Sequence, residues 1–267
     1  MSEGEGAAIL GDMLDSAARA HAWRQTVVQA VCDVIEPWAH GKVLRATRYP
    51  SYYEYNVVSV EDEPGMTAAE LEAFADQALA GLSHRRLDFD SVAAGEARRE
   101  ALVERGWLAT RLLWMHHEAS VVPIAGSAVD LERVPYDEVL DLRLLWHRED
   151  FPEHAGPEVL EHYGTAGKQV ALSRGASVFA VRGERREPIA FAQLERLGTG
   201  AEISQVYVHP RHRGRGLGTA VTQASILAAS DAADLWIVAD DEGRAKDLYA
   251  RLGFRPVCAS IEFLLLV

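Results

Sequence analysis

The sequence predicts an α/β fold in which two related domains follow one another. Each half of the chain shows the order strand, helix, strand, helix ending at a glycine, strand. The segments LVERGW (102–107) and LYARLGF (248–254) fall at equivalent places in the two halves, about 150 residues apart, which is too long a period for a solenoid repeat. Residues 119–128 carry Pro and Gly between the halves. We therefore predict a domain over 1–118, a linker over 119–128 and a second domain over 129–267.

The pattern of the N-terminal half begins at residue 52. YYEYNVVSV (52–60) is aromatic and β-branched, which predicts a strand. Apolar residues at helical spacing predict a helix over 71–82, and two further strands follow with a helix between them, at 85–90, 94–105 and 107–115. After the first strand comes EDEPGMTAAE, whose carboxylates would repel an anion. The N-terminal half is thus predicted to hold no phosphate.

The C-terminal half repeats the pattern with more elements. Two helices are predicted at 134–147 and 157–163, around the irregular REDFPEHAG. Alternating and β-branched residues predict strands at 177–183, 187–195 and 202–210. Beyond the glycine-rich segment RHRGRGLGTAV, the predicted elements are a helix from about Gly218, a strand at 233–240, a short helix that Gly253 ends, and a final strand at 258–267.

Composition excludes several classes of protein. The 267 residues are 48% hydrophobic and 25% charged, as in ordinary globular domains. A net charge of −13 counts against nucleic-acid binding and can attract a cationic small molecule; an acidic surface that only keeps the protein soluble is the alternative. Cys32 and Cys258 stand alone, which argues against a disulfide framework or a metal site and fits a reducing compartment. With neither a signal peptide nor a membrane span in evidence, we predict a cytoplasmic protein.

The segment RHRGRGLGTAV (211–221) has the features of an anion site. It follows a strand and precedes a helix, whose first N–H groups have no partner within the helix and lie at its positive end. It lacks the Lys-Ser or Lys-Thr of a P-loop, and its glycines have GxGxG spacing instead of the GxGxxG of a dinucleotide site. A basic surface turn that only caps the helix is the alternative.

Two motifs together resemble the GNAT superfamily of acyl-CoA-dependent N-acyltransferases. VYVHPRHRGRGLGTAV is similar to the superfamily signature, a strand ending in V-x-P and then [RQ]-x-x-G-x-[GA]. AKDLYARLGFRPV (245–257) is similar to its A-x-x-L-Y-x-x-L-G-F helix. The resemblance covers roughly 122–267, and the whole chain resembles tandem members. It implies two domains, each a mostly antiparallel sheet flanked by helices, of which the N-terminal one is degenerate.

The resemblance also implies a binding site for acetyl-CoA as cosubstrate, with no metal. The backbone of the strand end would face the pantetheine arm and the thioester carbonyl, through Val206, Tyr207 and Val208. The loop and first helical turn would cradle the pyrophosphate, through Arg213, Gly214, Arg215, Gly216, Leu217, Gly218 and Thr219. Glu242 stands where the family often has an Asn that contacts pantetheine.

Catalytic roles are expected for two residues. Tyr249 matches the family tyrosine that faces the CoA sulfur, where its phenol can protonate the leaving thiolate; a core tyrosine is the alternative. Glu202 lies on the central strand where many members carry a glutamate, and it would take the amine proton directly or through a water. A surface carboxylate at a strand start is the alternative for Glu202.

The acceptor would lie under the segment 146–156, where His147, Glu149 and Asp150 are candidates to bind a cationic amine. A solvated polar loop is the alternative. We therefore predict an N-acetyltransferase that transfers acetyl directly to a primary amine of a small molecule. A non-catalytic acyl-CoA-binding regulator and a protein N-acetyltransferase are the competing hypotheses, and monomer and homodimer both stay open.

Overall fold

The structure is a computed structural model that describes residues 3–118, 130–152 and 156–267. The predicted linker at 119–128 lies outside the described residues. Contacts divide the chain into two units. Unit 1 comprises Met1–Met115, Ala239–Lys246 and Pro256–Val267, and unit 2 comprises His116–Val238 and Asp247–Arg255. The N-terminal unit thus includes the end of the chain, while the domain boundaries drawn from the sequence stay a prediction.

The described elements alternate between helices and strands in both units. The helices are α1 (Glu3–Val31), α2 (Ala68–Ala78), α3 (Val92–Glu104), α4 (Leu140–Asp150), α5 (Pro157–Leu160), α6 (Gly167–Ser173), α7 (Leu217–Ala228) and α8 (Ala245–Arg251). The strands are β1 (Val34–Trp38), β2 (Gly41–Arg45), β3 (Val57–Val60), β4 (His84–Phe89), β5 (Leu108–His117), β6 (Leu131–Val134), β7 (Ser177–Arg182), β8 (Pro188–Leu197), β9 (Gly200–Val208), β10 (Asp234–Asp240) and β11 (Phe254–Leu266).

Unit 1 contains a sheet in the order β1-β2-β3-β4-β11-β5. Its neighbours are antiparallel from β1 to β3, β3 and β4 are parallel with α2 between them, and β11 runs antiparallel to β4. Successive side chains along each strand point to opposite faces of this sheet. Helices α2 and α3 pack on one face through a core that includes Leu71, Leu102, Val58 and Phe89, whereas α1 packs on the other through Val28 against Leu44.

The sequence prediction missed the first three elements of unit 1. Helix α1 and strands β1 and β2 precede residue 52, where the predicted pattern begins. The two strands have only five residues each, and Pro37 interrupts the strand pattern of β1, which lies at the edge of the sheet. The predicted strand at 52–60 is also shorter than expected, because Tyr53–Tyr55 form a 3-10 turn before β3.

Unit 2 repeats this topology with the order β10-β9-β8-β7-β6. Strands β6 to β9 are antiparallel, and β9 and β10 are parallel with α7 between them. Helix α4 packs on one face through Leu142, which joins Phe191 and Tyr207 in the core, and α7 packs on β7, β8 and β9. The mixed fold of mostly antiparallel sheets flanked by helices is confirmed.

The region predicted as irregular between the first helices of unit 2 is partly helical. Helix α4 continues through Asp150, so His147, Glu149 and Asp150 lie in its last turns instead of on a loop. The reason is that Leu142, Leu145 and Trp146 keep the helical spacing that buries them. From Pro157 to Ser173 the chain is helical throughout, with a π-helical segment at Glu161–Ala166 between α5 and α6.

Over the described ranges, the longest helices do not combine the length and hydropathy needed to cross a bilayer. The same residues contain no group of three or more His, Cys, Asp or Glu side chains placed to hold a metal ion.

Candidate active site

Strands β9 and β10 separate at the point where the sequence places the acyl-CoA site. Their parallel pairing runs from Gly200 with Asp234 to Ile203 with Ile237 and then stops, although β9 continues to Val208. The cause is visible on the other edge of β9, where Ser204 is an extra residue between the pairs Leu194–Ile203 and Gln193–Gln205. Such a β-bulge bends the strand that carries it. The β10-facing edge of β9 from Ser204 onward is therefore open.

The predicted backbone residues lie on this open stretch. Tyr207 is buried on the α4 face, where its ring stacks on Trp146 with 5.6 Å between centroids. Val206 and Val208 point to the other face, and Val208 approaches the start of α7, where a Cβ on Gly218 would lie 3.6 Å from its Cγ2. The strand end therefore has a filled core on one side and the helix N-terminus on the other.

The glycine-rich segment forms an exposed turn between β9 and α7. Pro210–His212 make a 3-10 turn, and Gly214 and Gly216 both have a φ of +76°, a conformation that favours glycine. Gly216 is the N-cap of α7 and offers no side chain to its first N–H groups, which belong to Leu217, Gly218 and Thr219. A Cβ at Gly214 or Gly216 would meet nothing within 4 Å. The turn thus leaves space and uncapped donors for an anion.

The side chain of Arg213 is held beside this turn by an ion pair and a hydrogen bond. Its Nη2 lies 2.7 Å from Glu149 Oε2, and its Nε donates to the Val208 carbonyl over 3.1 Å. The same Glu149 oxygen accepts a hydrogen bond from the Tyr207 hydroxyl at 2.9 Å. Arg213 therefore ties the loop to β9 and α4, whereas Arg215 is exposed and has no hydrogen bond or ion pair with the described part of the chain.

Tyr249 lies on α8 with its side chain buried. Its ring contacts Phe254 edge-on at 6.2 Å between centroids, and its hydroxyl makes no hydrogen bond to any described residue. Burial raises the pKa of Tyr249 to about 12. The phenol consequently keeps its proton at neutral pH, as a proton donor must.

Glu202 is buried in an ion-pair cluster near the start of β9. Arg174 Nη2 lies 2.9 Å from Glu202 and 2.5 Å from Glu195 on β8, and all three side chains are buried. Glu195 also accepts a hydrogen bond from Gln193 at 2.7 Å. Two carboxylates thus bind one guanidinium group beside the strand that leads to Val206.

His147 and Asp150 occupy different environments on α4. His147 is 3% exposed and lies between Phe151 and Tyr163, whose hydroxyl is 3.4 Å from His147 Nδ1. Asp150 is on the outer side of the helix, and desolvation together with the neighbouring Glu149 raises its pKa. Glu149 is in direct contact with two predicted cosubstrate residues, Tyr207 and Arg213.

The sequence prediction missed the buried partners of this site. Arg143 on α4 is fully buried, hydrogen bonds to Gln205 and to Gln193, and lies with its guanidinium 4.1 Å from the centre of the Tyr136 ring. Arg174 is likewise a buried arginine whose partners are polar side chains of the core. Polar residues in otherwise apolar stretches of α4 and β8 were the available sequence signal, because such residues in a core need partners.

Comparisons with known proteins give a family match over part of the chain and a shared fold. Residues 174–256 match the family model of the acetyltransferase (GNAT) domain. A comparison with curated protein sequences gave no match. Among solved structures, a conserved protein of unknown function from Staphylococcus epidermidis ATCC 12228 has a TM-score of 0.65 at 19% identity, over 88% of this chain and 94% of that one.

A GCN5-related N-acetyltransferase from Kribbella flavida has a TM-score of 0.55 at 19% identity, over 92% of this chain and 94% of that one. At such identity the two structures show a shared fold. The family match covers the segment that contains Glu202, the bulge, the glycine-rich turn and Tyr249. Residues 174–256 therefore form a GNAT acetyltransferase domain, a family that transfers acyl groups from acyl-CoA.

Proposed function

We propose that this protein transfers the acetyl group of acetyl-CoA directly to a primary amine of a small, cationic molecule. The observation that carries the proposal is the combination of an opened strand edge with an uncapped helix N-terminus directly after it. The open edge of β9 offers backbone donors and acceptors to an extended amide chain. The N-terminus of α7 offers N–H donors to a diphosphate. The residues present therefore fit coenzyme A.

The chain would hold the cosubstrate mainly with its backbone. The N–H groups of Leu217, Gly218 and Thr219 would face the diphosphate, with Arg215 as the side chain free to add charge. The open edge at Val206 to Val208 would orient the pantetheine arm. Bound acetyl-CoA supplies an acyl group already activated as a thioester. Tyr249 would hold the proton that the departing sulfur needs.

Glu202 would act as the base for the acceptor amine, either directly or through a water. Its place on β9, two residues before the bulge at Ser204 that opens the strand, supports the role, and Arg174 holds its carboxylate in position. Glu149 and Asp150 add acidic groups on α4, and the net charge of −13 favours cationic acceptors over acidic ones. His147 is more deeply buried than these two residues. It would act on the acceptor through the side chains that surround it, Phe151 and Tyr163.

Unit 1 would be a degenerate GNAT-like domain that binds no acyl-CoA. Its corresponding helix, α2, is closed by a capping box in which Thr67 accepts from Glu70 N–H and the Glu70 carboxylate accepts from Thr67 N–H. The paired strands also stay together, because Asp90 N–H continues the pairing of β3 and β4 by donating to Val60. The anion site is thus occupied by the chain's own carboxylate, and the strand edge is closed. The free thiols of Cys32 and Cys258 fit a cytoplasmic location.

A panel assay tests the proposed activity. Thiol release from acetyl-CoA is measured with small amines, with peptides bearing a free N-terminus or a lysine, and with no acceptor. We expect turnover with at least one class of small cationic amine and little with peptides. Tight binding of acetyl-CoA without turnover on the whole panel would instead support the regulator hypothesis. Preferred acetylation of peptides would support a protein N-acetyltransferase.

Glu202→Gln should lower kcat by about tenfold at pH 7, less than a general base often contributes, because an amine can also lose its proton to solvent before binding. Glu195→Gln is the matched control, since it removes the other carboxylate bound to Arg174. We expect that control to retain most of kcat. Steady-state rates over a range of pH check both variants, and equal losses in the two would assign Glu202 a structural role only.

A further inference from the structure

The side chain of Arg213 lies on the α4 side of the end of β9. Its guanidinium carbon is 5.7 Å from the centre of the Tyr207 ring, and that ring belongs to the core that α4 covers. Helix α7 begins on the other side, where Val208 approaches Gly218. A diphosphate bound by the first N–H groups of α7 would therefore lie on the side of β9 that the Arg213 guanidinium does not occupy.

The guanidinium group of Arg213 is bound to two different elements. Its Nε donates to the carbonyl of Val208, the last residue of β9, over 3.1 Å, and its Nη2 lies 2.7 Å from Glu149 Oε2 on α4. A guanidinium is a planar fork, so two such bonds fix its orientation. A lysine has a single nitrogen on a flexible stem and cannot span both partners in this way. The contacts thus depend on the shape of the side chain as well as on its charge.

Glu149 connects this arginine to the buried part of β9. The same carboxylate oxygen accepts a hydrogen bond from the Tyr207 hydroxyl at 2.9 Å. Burial and this hydrogen bond to a carboxylate raise the pKa of Tyr207, so the phenol keeps its proton and stays the donor. The Tyr207 ring in turn stacks on Trp146 of α4. Arg213, Glu149 and Tyr207 therefore hold the end of β9 against α4.

The end of β9 is a stretch whose backbone needs such support. Its pairing with β10 stops at Ile203, and in the proposed function the open edge beyond that point orients the pantetheine arm of acetyl-CoA. A segment with fewer backbone hydrogen bonds opens more easily unless other contacts hold it. We propose that Arg213 is a positioning residue: with Glu149 it fixes the open edge of β9 for the pantetheine arm, and it does not bind the diphosphate. The side-chain charge at the diphosphate is left to the exposed Arg215.

Binding of coenzyme A and of its nucleotide half tests this role, which rests on the proposed function. The nucleotide half, 3′-phospho-ADP, keeps the diphosphate and lacks the pantetheine arm. We expect Arg213→Gln to raise the Kd for coenzyme A about fivefold and to leave the Kd for the nucleotide half within about twofold. Arg215→Gln makes the same charge change in the same turn and should raise both Kd values by a similar factor. Calorimetric titration of the full chain measures both ligands.

Further variants test whether the effect runs through Glu149. Arg213→Lys keeps the positive charge but not the fork, so it should lose as much affinity for coenzyme A as Arg213→Gln. Glu149→Ala should raise the Kd by the same factor, and the double variant Glu149→Ala/Arg213→Gln should lose no more than either single variant, because the two residues act as a unit. Asp141→Ala removes an exposed carboxylate of α4 and should leave the Kd unchanged. Thermal unfolding confirms that each variant is folded.

The outcomes separate this role of Arg213 from the proposed function. An unmodified protein that bound neither ligand would contradict the proposed function itself. With binding intact, the positioning role would be overturned by equal losses of both ligands in Arg213→Gln, by normal affinity in Arg213→Lys, or by an unchanged Kd in Glu149→Ala. The first two results together would identify Arg213 as a diphosphate ligand.

Discussion

Tyr249→Phe is expected to lower kcat by about 10²-fold while leaving the affinity for coenzyme A nearly unchanged. The variant keeps the ring that packs on Phe254 and removes only the hydroxyl. That hydroxyl has no hydrogen bond to lose among the described residues, so neither stability nor binding should suffer. Because the pKa of Tyr249 is raised to about 12, its ionisation should cause no loss of kcat up to about pH 10. Steady-state kinetics and calorimetry with coenzyme A measure the two effects.

Tyr136→Phe is the control for this substitution. It also removes one hydroxyl from a partly buried tyrosine of unit 2, where the group donates to the Tyr163 carbonyl at 2.9 Å. We expect Tyr136→Phe to retain kcat within about threefold. A Tyr249→Phe variant with the activity of the unmodified protein would show that Tyr249 is a core residue and that solvent protonates the thiolate.

Gly216→Ala should raise the Kd for coenzyme A at least tenfold. At a φ of +76° an alanine is strained by about 1–2 kcal/mol, and its Cβ would project into the open space beside the first N–H groups of α7. Either the methyl group occupies the place of the diphosphate or the turn relaxes and moves its donors. Calorimetric titration with coenzyme A measures the loss.

Gly198→Ala separates backbone strain from loss of the site. Gly198 joins β8 to β9 with a φ of +57°, and a Cβ at this position would also meet nothing within 4 Å, so its substitution carries a similar strain. Both variants should lower the unfolding temperature to a similar degree, and only Gly216→Ala should lose affinity. Equal affinities in the two would exclude the turn at 213–218 as the diphosphate site.

The parts of the site that sequence predicted best are those encoded within a few residues. The turn at Gly214 and Gly216, helix α7 after it and the short helix α8 that carries Tyr249 all depend on local spacing, and these elements form where the sequence predicted them. The roles of their residues in the site stay predictions. The opening of β9 depends on its register against β8 and on the extra residue Ser204, which only pairing reveals. The pairing of Arg174 with Glu202 is likewise non-local and had no spacing to predict it.

The order of strands in unit 1 has a consequence for biosynthesis. Strand β11 separates β4 from β5, and its residues are made about 150 positions after β5 begins, a separation that loop-closure entropy penalises in folding. Until the ribosome has released them, the nascent N-terminal segment has an unpaired β4 edge that is liable to aggregate. The sheet of this unit is therefore completed only after residues 254–266 have been synthesised, and chaperones that shield strand edges become relevant to its yield.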